Sequence, residues 1–181
     1  MKLNKLQTIL AATLMTLPAF AGEASTHGAT DIAKSVRHEL VMLPFYGVFD
    51  HMTFEVNDGT VTLHGYVTRP TLKTSAERVT QRVAGVTGVI NKIEVLPLSP
   101  FDDSIRLRTL RAVYGQSALN KYAIGANPPI RIIVKNGEVT LEGMVLNKGD
   151  HDIANIQANG VFGVFKVNNN LRVENAKPKK A

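Results

Sequence analysis

The feature that most constrains this sequence is an internal repeat. Residues 57–67 read NDGTVTLHGYV, and residues 135–145 read KNGEVTLEGMV. At a single offset of 78 residues, and without a gap, the match continues through a second set of positions. The pairs there are Ala76 and Ala154, Gly85 and Gly163, Val89 and Val167, Asn91 and Asn169, and Val95 and Val173. Repetition at a fixed spacing indicates one supersecondary unit used twice, so we predict two copies of one domain.

The repeat sets the domain boundaries that we predict. The copies span residues 31–97 and 104–174, a proline-containing linker at 98–103 joins them, and a basic tail follows at 175–181. A chain of 181 residues is long enough for two small domains. Apolar residues make up 44% of the chain, which argues against disorder, and the lack of tryptophan leaves the cores to Val, Ile, Leu and Ala.

Each copy has the pattern of helix, strand, strand, helix, strand. In the first copy, Asp31 caps a helix with apolar residues at helical spacing, and Pro44 ends it. Alternating residues on both sides of the turn Asn57-Asp58-Gly59 predict a β-hairpin, and residues 71–84 predict a second helix. We therefore predict an α+β fold of two tandem αββαβ domains, each a small three-stranded mixed sheet with two helices on one face.

The second helix of the second copy departs from this pattern. Gln157 and Gly160 occupy the positions of Val79 and Arg82, so the helix is weaker by propensity and polar at an expected core position. Its register is therefore open, and a small rotation would compensate. The residues that such a rotation would bury are Ile153 and Ile156.

The N-terminus has the pattern of an export signal. Lys2 and Lys5 precede an apolar run at 6–17, and Ala19-Phe20-Ala21 fits the small-x-small cleavage rule. The run is too short to span a bilayer. We predict a signal peptide, residues 1–21, cleaved after Ala21, and a periplasmic mature chain without a transmembrane segment. Because the chain has no cysteine, we expect neither a lipidated cysteine nor a disulfide.

Two patterns together suggest a family. Each copy contains the string G-x-V-T-L-x-G-x-V, then an alanine-containing helix, then the string G-V-x-x-V-x-N-x-[IL]-x-V. This order of features, which occurs twice, resembles the BON domain. The tandem arrangement behind a plain signal peptide is similar to dual-BON periplasmic proteins of the OsmY type. The resemblance implies an envelope-associated, non-enzymatic module linked to phospholipid binding, to envelope or osmotic stress, and to help for outer-membrane or secreted proteins. It also implies lipid contact through the first helix of the second domain, as in lipoprotein relatives.

We interpret the repeated glycines and asparagines as structural. The glycine of each hairpin turn fits a positive φ angle, and Gly65 and Gly143 fit either the close approach of a helix or a β-bulge. The spacing matches no phosphate-binding loop. We expect Asn91 and Asn169, on the inward side of the third strand, to bond the backbone rather than a ligand. The structural positions are Gly59, Gly65, Gly85, Asn91, Gly137, Gly143, Gly163 and Asn169.

The residues offer little support for metal binding or catalysis. His38, His51 and His64 are evenly spaced, but we predict them on a helix, a loop and a strand, whereas a zinc site favours close pairs on one element. The chain has no cysteine and no G-x-S-x-G motif to supply a nucleophile. We therefore predict no metal, no cofactor and no enzyme activity.

The best candidate for a functional surface is the first helix of the second copy, residues 104–122. We predict that Leu107, Leu110 and Tyr114 face the core. The basic residues would then form an exposed face suited to phosphate oxygens, because a guanidinium donates two parallel hydrogen bonds. A solvated basic face without a ligand is the alternative. The candidate lipid-binding residues are Arg106, Arg108, Arg111 and Lys121.

Net charge favours an anionic partner. It is +6 for the chain, and loss of Lys2 and Lys5 with the leader lowers it to +4. Export argues against a nucleic-acid partner, so we predict peripheral binding to an anionic phospholipid surface. We also predict that the protein is a monomer. The alternative is a periplasmic chaperone-like protein for outer-membrane or secreted clients, which it would shield with a sheet face or groove. The non-helical sheet faces would meet either such clients or the other domain. The residues predicted there are Thr62, His64, Tyr66, Thr140, Glu142 and Met144.

Overall fold

The structure, a computed structural model, describes residues 28–125 and 127–174. The predicted leader and basic tail lie outside the described residues. No helix among the described residues is long and apolar enough to cross a bilayer. The elements of the first domain are α1 (Ala29–Val41), β1 (His51–Asn57), β2 (Thr60–Val67), α2 (Pro70–Gln81), β3 (Gly88–Asn91) and β4 (Glu94–Val95). Those of the second domain are α3 (Pro100–Tyr114), a short 3-10 helix (Asn120–Ala123), β5 (Ile130–Lys135), β6 (Glu138–Val145), α4 (Lys148–Asn159), β7 (Lys166–Asn169) and β8 (Arg172–Val173).

Both domains contain the same mixed sheet. β1 pairs antiparallel with β2, and β3 pairs parallel with the other side of β2. β4 continues along that same side after a short break in pairing. β5, β6, β7 and β8 repeat this arrangement. The predicted α+β fold of two αββαβ domains with mixed sheets is confirmed, with the third strand divided into two pieces.

Backbone geometry explains two of the repeated glycines in each copy. Asp58 and Gly59 have φ angles of 48° and 77°, so the hairpin turn has two left-handed residues, as a two-residue turn of type I′ requires. Gly65 has φ 118°, and a Cβ atom there would lie 2.0 Å from the carbonyl oxygen of His51 on β1. The close approach at Gly65 thus comes from the neighbouring strand, not from a helix or a bulge as we expected.

α3 begins earlier than predicted. It starts at Pro100, with the Ser99 side chain accepting from the N–H of Asp102 as an N-cap, so it takes up part of the predicted linker 98–103. Asp102 is 1% exposed, and its carboxylate accepts the N–H groups of the β5–β6 turn residues at 2.9 and 2.8 Å. These bonds fix the start of α3 against the hairpin.

The register of α3 also differs from the predicted one. Leu107 is 46% exposed, so the prediction that it faces the core is wrong, whereas Leu110 and Tyr114 do pack against the core. The buried residues of α1 and α3 align at an offset of 73 residues, whereas the strands align at 78. The additional residues of the second copy lie around the 3-10 helix, between α3 and β5. The aligned buried residues are Ile32, Val36 and Leu40 in α1 and Ile105, Thr109 and Val113 in α3.

α4 keeps the register of α2. Its buried residues are at the same repeat positions as those of α2, so the rotation that we considered does not occur. Ile153 packs against the core, but Ile156 is 65% exposed. The aligned buried residues are Leu72, Ala76 and Thr80 in α2 and Asp150, Ala154 and Ala158 in α4.

The domains pack against each other through the segment before β1. Ile132 of β5 donates its N–H to the carbonyl oxygen of Val48 at 2.9 Å. Val48 and Phe49 pack against the core of the second domain. The guanidinium of Arg131 lies 4.6 Å from the centroid of the Tyr46 ring. A segment of the first domain therefore contributes to the hydrophobic core of the second.

The non-helical sheet faces also meet. Lys135 of the second domain pairs with Glu94 of the first, and Nε2 of His51 lies 3.8 Å from Oε2 of Glu142. Ile133, on the same face of β5, is only 3% exposed. These faces are thus partly covered by the neighbouring domain.

Candidate lipid-binding surface

Arg106 is buried rather than exposed, so our expectation for this residue is wrong. It is 5% exposed, and its Nη2 donates to the carbonyl oxygen of Val134 at 2.8 Å. Its Nη1 pairs with Asp103. The guanidinium therefore holds α3 to the edge of β5 and does not reach an external surface.

Lys121 lies on the 3-10 helix that follows α3, and its charge is already paired. Nζ is 2.7 Å from Oδ2 of Asp150, and Tyr122 donates to the same carboxylate. Burial alone would raise the pKa of Asp150, but the bonds from Lys121 and Tyr122 lower it below the ordinary value. The bond to Asp150 raises the pKa of Lys121. Lys121 therefore contributes to folding more directly than to an anion-binding surface.

Arg108 and Arg111 are the predicted cations that remain at the surface. Arg108 is half-buried, donates from Nε to the carbonyl oxygen of Ser104 at 3.1 Å, and lies 5.8 Å from the centroid of the Phe162 ring. Arg111 is exposed. Neither takes part in any of the ion pairs between described residues. Both charges therefore remain to attract an anionic partner.

Three phenylalanines that the sequence analysis did not single out are exposed in the second domain, and one of them, Phe162, lies beside Arg108. Phe162 and Phe165, between α4 and β7, are 83% and 80% exposed, and Phe101 at the start of α3 is 48% exposed. A Cβ atom placed on Gly137 would be 2.4 Å from Cδ2 of Phe165 and 3.5 Å from Cε1 of Phe101. The Phe101 and Phe165 rings therefore gather at the β5–β6 turn. We call Phe101, Phe162 and Phe165 the aromatic patch.

The repeat contains a signal that singles out Phe162 and Phe165 of the aromatic patch. Where the second copy has Phe162 and Phe165, the first copy has Ala84 and Thr87. The adjacent valines are the same in both copies, so the backbone of this loop does not itself require aromatic side chains. A difference between copies at exposed loop positions favours a role outside folding.

Exposed rings beside unpaired cations have the chemistry of a contact with a membrane surface. Several large apolar side chains exposed together indicate a partner or a membrane. Apolar side chains enter the boundary between headgroups and acyl chains, while arginines stay at the level of the phosphates. The aromatic patch with Arg108 and Arg111 offers both components on one side of the second domain.

The repeated asparagines bond the backbone. Asn91 donates from Nδ2 to the carbonyl oxygen of Lys73 on α2 and accepts from the N–H of Ile93. Asn169 makes the equivalent bonds to backbone atoms of α4 and of the residue before β8. Each side chain therefore bridges the break in the third strand and ties that strand to the second helix of its domain.

The three histidines of the first copy lie on separate elements. His38 is on α1, His64 is on β2, and His51 begins β1, where burial lowers its pKa. Among the described residues, no three His, Cys, Asp or Glu side chains are grouped so that they could hold a metal ion.

The repeated unit is that of a known family. The model of the BON domain matches residues 29–97 and 116–175. The chain belongs to the BON domain family. No curated protein matches the sequence. The second BON match begins after α3, so Arg108 and Arg111 lie outside the matched residues, while Phe162 and Phe165 lie inside them.

Solved structures similar to this BON protein include two of CdsD, a structural protein of the type III secretion system of Chlamydia trachomatis. One shares 14% sequence identity and covers 79% of this chain and 92% of that chain, with a TM-score of 0.29. The other, the C-terminal domain of CdsD, shares 13% identity and covers 79% and 97%, also with a TM-score of 0.29. A likeness at these scores bears on neither the fold nor the function of this chain.

Proposed function

We propose that this BON protein is a non-enzymatic periplasmic protein that binds anionic phospholipid at a membrane surface. The observation that carries the proposal is the exposure of Phe162 and Phe165, 83% and 80%, with Phe162 beside Arg108. Neither Arg108 nor Arg111 forms an ion pair with another described residue. The export pattern of the first 21 residues supports the location. Peripheral attachment of this kind would suit a role in envelope or osmotic stress, because it changes with the charge and packing of the membrane.

The apolar contribution should exceed the electrostatic one. Removing a phenylalanine side chain from water contributes about 1.5–3 kcal/mol, whereas a basic residue near an anionic membrane contributes about 1 kcal/mol and is screened by salt. Two rings and two arginines together give weak, reversible attachment. We therefore expect the aromatic patch to decide affinity, and the arginines to decide the preference for anionic lipid.

Flotation with lipid vesicles tests the proposal. The mature protein should float with phosphatidylglycerol vesicles, less with phosphatidylcholine vesicles, and less as salt rises. Replacing Phe162 by Ala and Phe165 by Thr supplies the residues of the first copy, so the fold should persist while vesicle binding falls at least tenfold. Arg108→Gln with Arg111→Gln should lower binding to phosphatidylglycerol and leave binding to phosphatidylcholine unchanged.

A matched control removes the same charge elsewhere. Arg78→Gln with Arg82→Gln changes two exposed arginines at the end of α2 in the first domain, and it should leave flotation unchanged. An equal loss of flotation in the two arginine double variants would mean that net charge alone, and not the position of the arginines, determines binding. Full flotation of the Phe162→Ala and Phe165→Thr double variant would contradict the proposal.

The chaperone-like alternative has less support in the form that the sequence suggested. It offered the non-helical sheet faces either to clients or to the other domain, and these faces meet the other domain, since Lys135 pairs with Glu94 there and His51 lies near Glu142. Suppression of the aggregation of an unfolded outer-membrane protein, without any flotation, would favour this alternative over lipid binding.

A further inference from the structure

A cleft of 860 Å³ runs along β1, away from the aromatic patch. α1 contributes Ala33, Arg37 and Val41 to one wall, the edge of β1 forms the floor, and residues of the second domain close one end. Among the described strands, β1 pairs only with β2, so its other edge is free. A strand edge of this kind presents unpaired backbone groups to which another strand can add.

β5, the counterpart of β1, has its outer edge covered by groups of this chain. Tyr114 and Arg106 of α3 each donate to a carbonyl oxygen of β5, at 2.6 and 2.8 Å. Between these two points, Ile132 donates its N–H to Val48. Side chains and one added backbone segment thus protect this edge.

Helix α1 of the first domain lacks the corresponding side-chain covers, and among the described residues the Tyr46 side chain interacts with the backbone of Met52 at the start of β1. At the helix offset of 73 residues, Ala33 takes the position of Arg106, and Val41 takes the position of Tyr114. Neither Ala33 nor Val41 carries a group that donates a hydrogen bond, and both line the cleft. The helix that covers a strand edge in the second domain therefore leaves the equivalent edge open in the first.

A backbone donor points into this opening. The β1–β2 and β5–β6 hairpins have the same register, in which Phe54 corresponds to Ile132. The N–H of Ile132 points away from β6, beyond the edge of its sheet, toward Val48. The N–H of Phe54 therefore points away from β2, beyond the edge of the first sheet. Among the turn and loop bonds between described residues, none involves the N–H of Phe54.

The charges that line the cleft have one sign. Arg37, Arg131 and Arg172 line it, together with His51, and no Asp or Glu is among the described residues of its wall. Arg131 is occupied by the Tyr46 ring and the carbonyl oxygen of residue 47, but Arg37 and Arg172 are exposed. An occupant that carries a carboxylate is therefore favoured over a basic one.

We propose that the cleft binds an extended, largely apolar polypeptide segment with an acidic residue, contributed by a partner protein, as an additional strand on β1. The N–H of Phe54 would donate to a carbonyl oxygen of the segment, as Ile132 donates to Val48 within this chain. Apolar side chains would pack between α1 and β1, as Val48 and Phe49 pack on the second core. The site is separate from the aromatic patch and independent of lipid binding.

The sequence that covers β5 supplies a probe. The peptide acetyl-Tyr-Gly-Val-Phe-Asp-amide copies residues 46–50 and carries one carboxylate. Titrated into the ¹⁵N-labelled mature protein, it should shift the amide signals of residues 52–56 and slow hydrogen exchange at Phe54. Ala33→Arg, which copies Arg106 of the second domain, should weaken the peptide at least tenfold, although the added positive charge alone would favour an acidic peptide.

A matched variant separates edge protection from charge. Ser35→Arg adds the same side chain at an exposed position of α1 that does not line the cleft, and it should keep peptide affinity within about twofold. Equal effects of the two arginines, shifts at β5 instead of β1, or no shifts at millimolar peptide would overturn the proposal. So would shifts at 52–56 with lysophosphatidylglycerol but not with peptide, because they would assign the cleft to lipids. Vesicle flotation of Ala33→Arg should match the unmodified protein, so failure here and failure of the lipid proposal are distinguishable.

Discussion

At the scale of single residues, Gly65 has a backbone that other residues adopt only with strain. Its φ angle is 118°, and an added Cβ atom would be 2.0 Å from the carbonyl oxygen of His51. The neighbouring strand must move to accept any side chain there. We expect Gly65→Ala to lower the free energy of unfolding by about 2–4 kcal/mol, from strain and the loss of strand pairing, as measured by urea denaturation.

Gly88 is the matched control for Gly65, since it also lies in the first sheet. Its φ angle is not positive, and the nearest atom to an added Cβ atom is 3.8 Å away. Gly88→Ala should change the free energy of unfolding by less than about 1 kcal/mol. Similar losses in both variants would show that the close approach to His51 does not determine stability.

Buried polar residues distinguish the second domain from the first. Asp150 takes the position of Leu72, and it accepts bonds from Tyr122, Lys121 and Asn147. Each bond compensates part of the cost of burying a carboxylate. The repeat alone does not predict a buried carboxylate here, because Tyr122 and Lys121 come from a segment that the first copy lacks.

At the scale of elements, α4 tests how far the repeat determines register. Ile153 packs against the core, whereas Ile156 is 65% exposed. Ile153→Gln should lower the free energy of unfolding by about 1–3 kcal/mol, and Ile156→Gln should change it by less than about 0.5 kcal/mol. Urea denaturation compares the two variants. Equal losses would indicate the rotated helix that the sequence left open.

The hairpins and α2 were predictable because their signals are local. Alternation around Asn57-Asp58-Gly59 specifies both strands and the turn, and the spacing of Leu72 and Ala76 specifies the helix face. α3 was less predictable, since its buried stripe contains Thr109 and Arg106 while Leu107 is exposed. Arg106 bonds a carbonyl oxygen on β5 as well as Asp103, and the bond to β5 is a tertiary contact that no local pattern encodes.

The candidate surface was only partly predictable for the same reason. Helical spacing placed Arg108 and Arg111 near the surface, but it treated Arg106 in the same way. Hydrophobicity alone favours a core position for Phe162 and Phe165, but the structure exposes both. Comparison of the two copies would have drawn attention to them.

At the scale of the whole molecule, the two domains depend on each other unequally. The core of the first domain consists of its own residues, whereas Val48 and Phe49 of the first domain pack against the core of the second. The segment that leads into β1 thus serves both domains. Loss of its apolar side chains should weaken the second domain more than the first.

Phe49→Ala tests this asymmetry. Phe49 is half-buried against the second core, so we expect a loss of about 1–3 kcal/mol, which raises exchange through local opening by about tenfold or more. Hydrogen exchange followed by mass spectrometry should show faster exchange in β5 and β6 and little change in β2 and α2. Phe45→Ala, in the same segment but at a position 72% exposed, should leave both domains unchanged. Faster exchange in both domains to the same extent would mean that they open as one unit, because the segment would then couple them rather than support only the second.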